Sequence, residues 1–378
     1  MASQEVQQPH FIFIPFLAQG HMIPMMDMAR LFAKRGVIST VITTSLNVAR
    51  FKPVIDRAAE SGLPIRLIQL DFPWQEGGLP QGLENVDAID SPIPGRKFFP
   101  ALELLQEPIE QFLKEDHQPG PSCMISDFCL PWTYNIACKL HIPRIAFHGT
   151  CSFSLLSSLN LQRFKPHEAV SSEFELFVLP GLPHKVEISK AQLQDDIINK
   201  GNSEMTALFD RFREVDSKSF GVVINSFNEL ELEYVDYYKK AIGKKAWMIG
   251  PVSLCNKEIP DKAQRGNKAA LDDKKCLNWL DSKNPNSVIY ACFGSVNIGV
   301  DAAVKWFEEE KNVLVKMEEV KKAVERLMGS DNEAEERRMR ARELAESAKK
   351  AMEEGGSSYN NMTLLIEDIM EQTRQKME

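Results

Sequence analysis

The sequence has no C-x-x-C pair, and its seven cysteines (Cys123, Cys129, Cys138, Cys151, Cys255, Cys276, Cys292) are scattered and odd in number. That spacing argues against a disulfide framework or a zinc site and suits reduced thiols in a cytosolic protein. No apolar stretch approaches the ~20 residues a membrane-spanning helix needs. The opening MASQEVQQPH carries no basic run ahead of its apolar segment, so no secretory signal is expected. The sequon Asn361-Met-Thr363 then reads as chance. Positive charge is not in excess either: the net charge is −8, which argues against nucleic acid as the main partner. Gly20 is the only glycine between Phe11 and Gly36. The first strand–helix loop therefore holds neither G-x-G-x-x-G nor a Walker pattern, and no G-x-S-x-G elbow occurs anywhere. Dinucleotide oxidoreductases, P-loop enzymes and α/β-hydrolases are weakened together.

What is present is an alternation of short apolar runs and helical patterns over 378 residues, a length that suits two domains. Phe11 to Phe16 is a continuous apolar run, the mark of a strand buried on both faces. A loop over Leu17–His21 leads to a helix in which Met25, Met28, Leu31 and Phe32 recur at helical spacing and Gly36 supplies the stop. Val37–Thr43 follows as a strand, which completes a βαβ unit and predicts a parallel sheet. Strands are also expected at Pro121–Ser126, in IPRIAF and at Val222–Asn225, with a helix near Glu204–Val215. Residues 73–98 read as a long surface loop and 251–275 as a polar linker. A second domain opens at Cys276 with a strand over Val288–Phe293, but residues 301–353 are highly charged and helical in pattern. No further strand follows Val296, so the second sheet is unfinished.

His21 and Asp127 both stand where a buried strand ends, the place where open parallel sheets bind ligands. A histidine and a carboxylate there can act as base and orienter: the carboxylate fixes the imidazole tautomer and stabilises the imidazolium formed as a proton is taken. Each residue alone has a plainer reading, as a solvated or capping loop residue.

The assembled stretches resemble the UDP-dependent glycosyltransferases of plant secondary metabolism. They are PFLAQGHMIPMMDMARLFAKRG (15–36), SDFCLPWT (126–133), VINSFNELE (223–231), WMIGPVSLCNK (247–257), CLNWLDSKNPNSVIYACFGSV (276–296), IGVDAAVKW (298–306) and EEGGSSYNNMTLLIEDIM (353–370). The resemblance implies an α/β GT-B fold. The expected division is an N-terminal Rossmann-like acceptor domain over 1–250, a linker over 251–275, and a truncated donor-binding domain with C-terminal helices over 276–378. By the same resemblance His21 is the general base and Asp127 its partner, while Phe16, Phe128 and Thr150 contact the acceptor. Gly20, Gly294 and Ser295 contact the donor, a UDP-sugar, with UDP-glucose the first choice; no metal is needed. The expected acceptor is a small hydroxylated plant metabolite of the flavonoid, coumarin, terpenoid or steroid class, and the protein a cytoplasmic monomer.

The sequence also departs from the family. The donor signature opening W-x-P-Q and centred on H-C-G-W-N-S is absent, and on the order of a hundred residues are missing between Val296 and Asn297, three or four βαβ units' worth. All seven histidines (His10, His21, His117, His141, His148, His167, His184) precede residue 185, so none is left to meet a diphosphate. The expected function is glycosyl transfer by descent, impaired in this chain. The alternatives are a non-catalytic acceptor-binding isoform or an error in the reading of the gene. The strand at Val288–Phe293 is expected to lie as an unpaired edge.

Overall fold

The structure, a computed structural model, describes residues 8–89, 92–115, 119–193, 204–263, 273–285, 287–290 and 317–377. Its strands are β1 (His10–Ile14), β2 (Ile38–Thr44), β3 (Ile65–Leu70), β4 (Cys123–Asp127), β5 (Arg144–His148), β6 (Leu176–Val178), β7 (Glu187–Ser189), β8 (Gly221–Ile224) and β9 (Lys245–Met248). Seven of them form one sheet in the order β3-β2-β1-β4-β5-β8-β9, and every pairing is parallel. β6 and β7 make a small antiparallel pair. β1, β4, β5 and β8 are buried at every residue, as strands covered by helices on both faces must be.

The order of the strands positions the site. From β1 the chain runs outward to β3, then returns to β4 beside β1 and runs the other way. The switch point lies between β1 and β4. The connections leaving those two strands diverge there and open a crevice beyond their carboxyl ends.

Helix α1 (Gln19–Ala33) starts two residues ahead of His21, so the imidazole belongs to its first turn and not to the preceding loop. Met22, Met25, Met28 and Phe32 turn one face of α1 into the core, where Phe32 packs on Phe11 with ring centroids 5.3 Å apart. α2 (Ser45–Glu60) links β2 to β3. The region read as a surface loop is largely tucked inward: Leu79, Leu83, Val86 and Phe98 are buried, and α3 (Pro92–Glu103) begins within it. Prolines and glycine at 92–95 concealed that helix, because a proline in the first turn forfeits only a hydrogen bond the helix would not make. α4 (Gln106–Lys114), α5 (Thr133–Lys139) and α6 (Ser152–Phe164) follow, then α7 (Glu204–Lys218) and α8 (Asn228–Ile242).

The first part of the linker is docked. Within 252–263, Val252 and Cys255 are buried, and Arg30 of α1 donates to Asn256 at 2.7 Å and ion-pairs with Asp261 in α9 (Ile259–Ala263). Arg57 of α2 reaches the same carboxylate at 2.9 Å. α10 (Asp273–Asp281), α11 (Met317–Met328), α12 (Asn332–Met352) and α13 (Ser357–Met377) complete the described helices, in keeping with the helical pattern of that region. Met362, Leu365 and Ile369 bring α13 into the main core. Its Asn361 side chain donates to the Met248 carbonyl at 2.9 Å and its Asp368 accepts from Trp247 Nε1 at 3.2 Å, which covers the β9 edge. The Asn361 amide is thereby buried and bonded, which removes it as a glycosylation acceptor in the folded chain.

The strand expected at Val288–Phe293 does not form where it is described: Val288–Tyr290 are irregular and Tyr290 is 86% exposed. Among the described residues no strand neighbours this segment, so it lacks the ladder that would extend it. Its remainder, Gly294 and Ser295 lie outside the described residues. Leu277, Trp279 and Leu280 of α10, and Val320, Val324 and Leu327 of α11, are exposed.

Candidate active site at the switch point

His21, after β1, and Asp127, the last residue of β4, meet across the switch point. His21 Nδ1 lies 2.7 Å from Asp127 Oδ2. The carboxylate is fully buried and its other oxygen accepts from the Cys129 main-chain N–H at 3.0 Å, so both oxygens are engaged. The imidazole side chain is 29% exposed. With Nδ1–H donated to Asp127, Nε2 carries the lone pair.

Burial works to lower the His21 pKa, but the charge and hydrogen bond of Asp127 outweigh it and leave the value raised. Burial likewise works to raise Asp127, and His21, the Cys129 N–H and the charge of His148 outweigh it, so its carboxyl stays below the usual range. The pair is one coupled unit.

The Asp127 turn is held from beneath by Arg144 of β5. Its guanidinium is buried and donates to the Asp127 carbonyl at 3.0 Å, to Thr133 Oγ1 at 2.9 Å and to Ser219 Oγ at 2.7 Å. Burial lowers that guanidinium to about 10. Pro24, inside α1, has no N–H to give to the Gly20 carbonyl. That oxygen faces Gly149, where an added Cβ would sit 3.9 Å from it. The loop carrying Thr150 is thus brought beside α1, with Thr150 itself exposed.

Phe16 is buried edge-on to His21, with centroids 5.1 Å apart. Phe128 is half-buried and stacks on His148 at 4.8 Å. The structure therefore gathers His21, Asp127, Phe16 and Gly20 at one point, with Phe128 following Asp127 in the chain. Two wall residues escaped the sequence reading, Phe99 of α3 and Phe212 of α7. Phe99 stacks on Phe16 at 5.5 Å, and Phe212 touches both Phe99 (5.6 Å) and Phe128 (6.0 Å). A phenylalanine in a helix reads as core whatever it faces, so no local signal marked them. Behind them lies a cavity of about 380 Å³ between α3, α7 and the turn after β4.

No family model matches the sequence. Curated relatives do. UDP-glycosyltransferase 73C5 of Arabidopsis thaliana is 38% identical over 480 aligned positions, which cover 96% of this chain and 97% of the relative. The chain belongs to the plant UDP-glycosyltransferases. UDP-glycosyltransferase 73C25 of Barbarea vulgaris is equally similar, at 38% identity over 96% of each chain. Among solved structures, Glycyrrhiza uralensis UGT73P12 complexed with glycyrrhetinic acid 3-O-monoglucuronide superposes with a TM-score of 0.87 at 29% identity, covering 98% of this chain and 97% of that one. Medicago truncatula UGT71G1 complexed with UDP-glucose shares the fold, with a TM-score of 0.73 at 18% identity over 97% of this chain and 100% of that one. This UDP-glycosyltransferase has the GT-B fold of its relatives. The alignment to the 73C5 enzyme spans 480 positions against a chain of 378 residues, so the excess positions are filled by the relative alone. No described helix is long and apolar enough to cross a membrane.

Proposed function

We propose that His21 is the general base for sugar transfer to a hydroxyl of a small plant metabolite, with Asp127 as its orienting partner. The observation that carries this reading is the 2.7 Å bond between His21 Nδ1 and a fully buried carboxylate, which leaves Nε2 as proton acceptor. Nε2 takes the acceptor's hydroxyl proton as the oxygen's electron pair forms the new bond to the anomeric carbon of a UDP-sugar. The bond from that carbon to the diphosphate oxygen breaks, UDP leaves with the electron pair, and the configuration is inverted. Asp127 stabilises the imidazolium formed. Phe16, Phe128 and Thr150 flank the acceptor. Gly20, Gly294 and Ser295 are the donor contacts of the same reading, and UDP-glucose is its donor. The acceptor belongs to the flavonoid, coumarin, terpenoid or steroid class, and the enzyme works as a cytoplasmic monomer built of an acceptor domain (1–250), a connection (251–275) and a donor-domain remnant (276–378).

A second reading is acceptor binding without efficient transfer, and it starts from one observation. After β9 the described residues form helices and no strand, while the relative's alignment is longer than this chain. Both readings share the acceptor site and differ in the donor. Release of UDP from UDP-glucose, measured with a mixture of phenolic acceptors, separates them. Acceptor-dependent release abolished by His21→Ala establishes transfer. Calorimetric binding of a flavonol without any UDP release or UDP affinity establishes the second reading.

A further inference from the structure

The turn that joins β5 to α6 is held by a carboxylate from another element. Glu231 of α8 is buried, and its Oε1 accepts from the Ser152 main-chain N–H at 2.7 Å while its Oε2 accepts from the Phe153 N–H at 2.8 Å. Those N–H groups belong to the first two residues of α6, where no intrahelical carbonyl is available to them. Cys151, in the cap position, makes no side-chain capping bond. Glu231 caps α6 instead, from 79 positions along the chain, and its negative charge meets the positive end of the helix dipole. Ser226 Oγ donates to Oε1 at 2.6 Å and steadies the carboxylate. The α8 backbone leaves helical geometry at this residue, with φ −151° and ψ 40°, so the helix is kinked where Glu231 reaches across.

At its other end the turn leaves β5 at His148, whose carbonyl accepts from the Asn225 N–H at 3.1 Å. Only Gly149, Thr150 and Cys151 lie between the two anchors. This short turn lies against the first turn of α1: a Cβ added to Gly149 would sit 3.9 Å from the Gly20 carbonyl oxygen, and Gly20 precedes His21. The sheet fixes one end of the turn. Glu231 fixes the other.

We propose that Glu231 is a positioning residue for the acceptor site, holding the turn at 149–151 against α1 beside His21. This rests on the acceptor-site reading above, in which Thr150 flanks the acceptor. The task needs a carboxylate, because two N–H donors must each find an oxygen. A glutamine there serves one donor with its carbonyl oxygen and turns an NH₂ group toward the other.

The test compares the full-length wild type with Glu231→Ala, Glu231→Gln and a control, Asp331→Ala. The control removes the carboxylate that caps α12 by accepting from the Ala334 N–H at 2.7 Å, on a helix that supplies no residue to the site. Amide hydrogen exchange over 149–156, the His21 ring signals by NMR and quercetin affinity by calorimetry are measured for each. Glu231→Ala is expected to speed exchange at 152 and 153, to shift the His21 signals of the free protein and to weaken quercetin binding about tenfold, as lost preorganisation does. Glu231→Gln is expected to lose less on every readout. Asp331→Ala is expected to lower Tm while leaving His21 and quercetin affinity as in the wild type. Faster exchange in Glu231→Ala with unchanged His21 signals and unchanged affinity overturns the positioning role and leaves Glu231 a cap alone. Equal losses of affinity in Asp331→Ala overturn it as well, since general loosening then explains them. If Glu231→Ala does not fold, Glu231→Gln, equal in size, decides on the same readouts. If quercetin neither binds the wild type nor moves His21, the acceptor-site reading falls and the proposal with it.

Discussion

The Phe128 ring lies nearly flat on the His148 imidazole, with centroids 4.8 Å apart and planes 24° apart. His148 ends β5 and is tied through Nε2 to Asp216 of α7 at 3.0 Å, while Lys244 approaches the same carboxylate at 3.2 Å. A second histidine–carboxylate pair thus stands one strand over from His21–Asp127. It pins α7, which carries Phe212, to the sheet end that carries Phe128.

Loss of His148 is therefore expected to loosen the acceptor wall more than the chemistry. His148→Ala should raise the acceptor KM roughly tenfold with little change in kcat, since positioning contacts made equally in ground and transition states act on KM. His148→Gln, which can still donate toward Asp216, should recover part of the loss. Steady-state kinetics with saturating UDP-sugar checks the split.

His21→Ala should lower kcat about 10²–10⁴-fold, the usual worth of a positioned base. Asp127→Asn should lower it less, with acceptor affinity nearly intact in both variants. Parallel rate and calorimetric measurements test this, and an unchanged kcat in His21→Ala would rule the base out.

The acid limb of the rate profile should fall above pH 6.5, because the folded His21 value is raised and the base works only when neutral. Asp127→Asn removes the cause of that rise, and the limb should move down. Stability follows the opposite course. Protonated His21 contributes below pH 6.5, and its contribution is lost as pH rises through the folded value. The depressed Asp127 carboxyl contributes above its ordinary 3.8 and is lost as pH falls through its folded value. The melting difference between wild type and His21→Gln should hence be largest in mild acid and shrink toward alkaline pH.

Asp261→Asn should destabilise the fold by about 3 kcal/mol, since it removes a carboxylate shared by the buried Arg30 and by Arg57. Urea unfolding reports it. A negligible effect would mean that 252–263 is a free linker after all.

Leu365→Ala should cost about 2–5 kcal/mol by opening a hole where α13 meets the main core. A drop in Tm with retained helical content would locate the loss in packing rather than in helix formation.

Much of this was legible in the chain. The runs at β1, β4, β5 and β8 read as strands because apolar continuity is a local property, and His21 and Asp127 stood out because they follow such runs. The helix at Pro92–Glu103 was hidden by its own prolines, and the irregular stretch at Val288–Tyr290 carries strand-forming residues that find no strand to pair with among the described residues. Asp216 had no signal at all: an acid in an amphipathic helix looks solvated until His148 and Lys244 close on it.

By itself the sequence determined the alternation of strand and helix, the absence of nucleotide-loop glycines, and two marked residues, His21 beyond the β1 run and Asp127 at the end of the β4 run. Only the tertiary structure decided that those two residues touch, 106 positions apart, and that Phe99 and Phe212 face a cavity. Strand propensity and helix periodicity act over a few residues. Hydrogen bonds, ring contacts and ion pairs between distant segments depend on strand order and on which helix face turns inward, and those are settled only when the sheet is assembled.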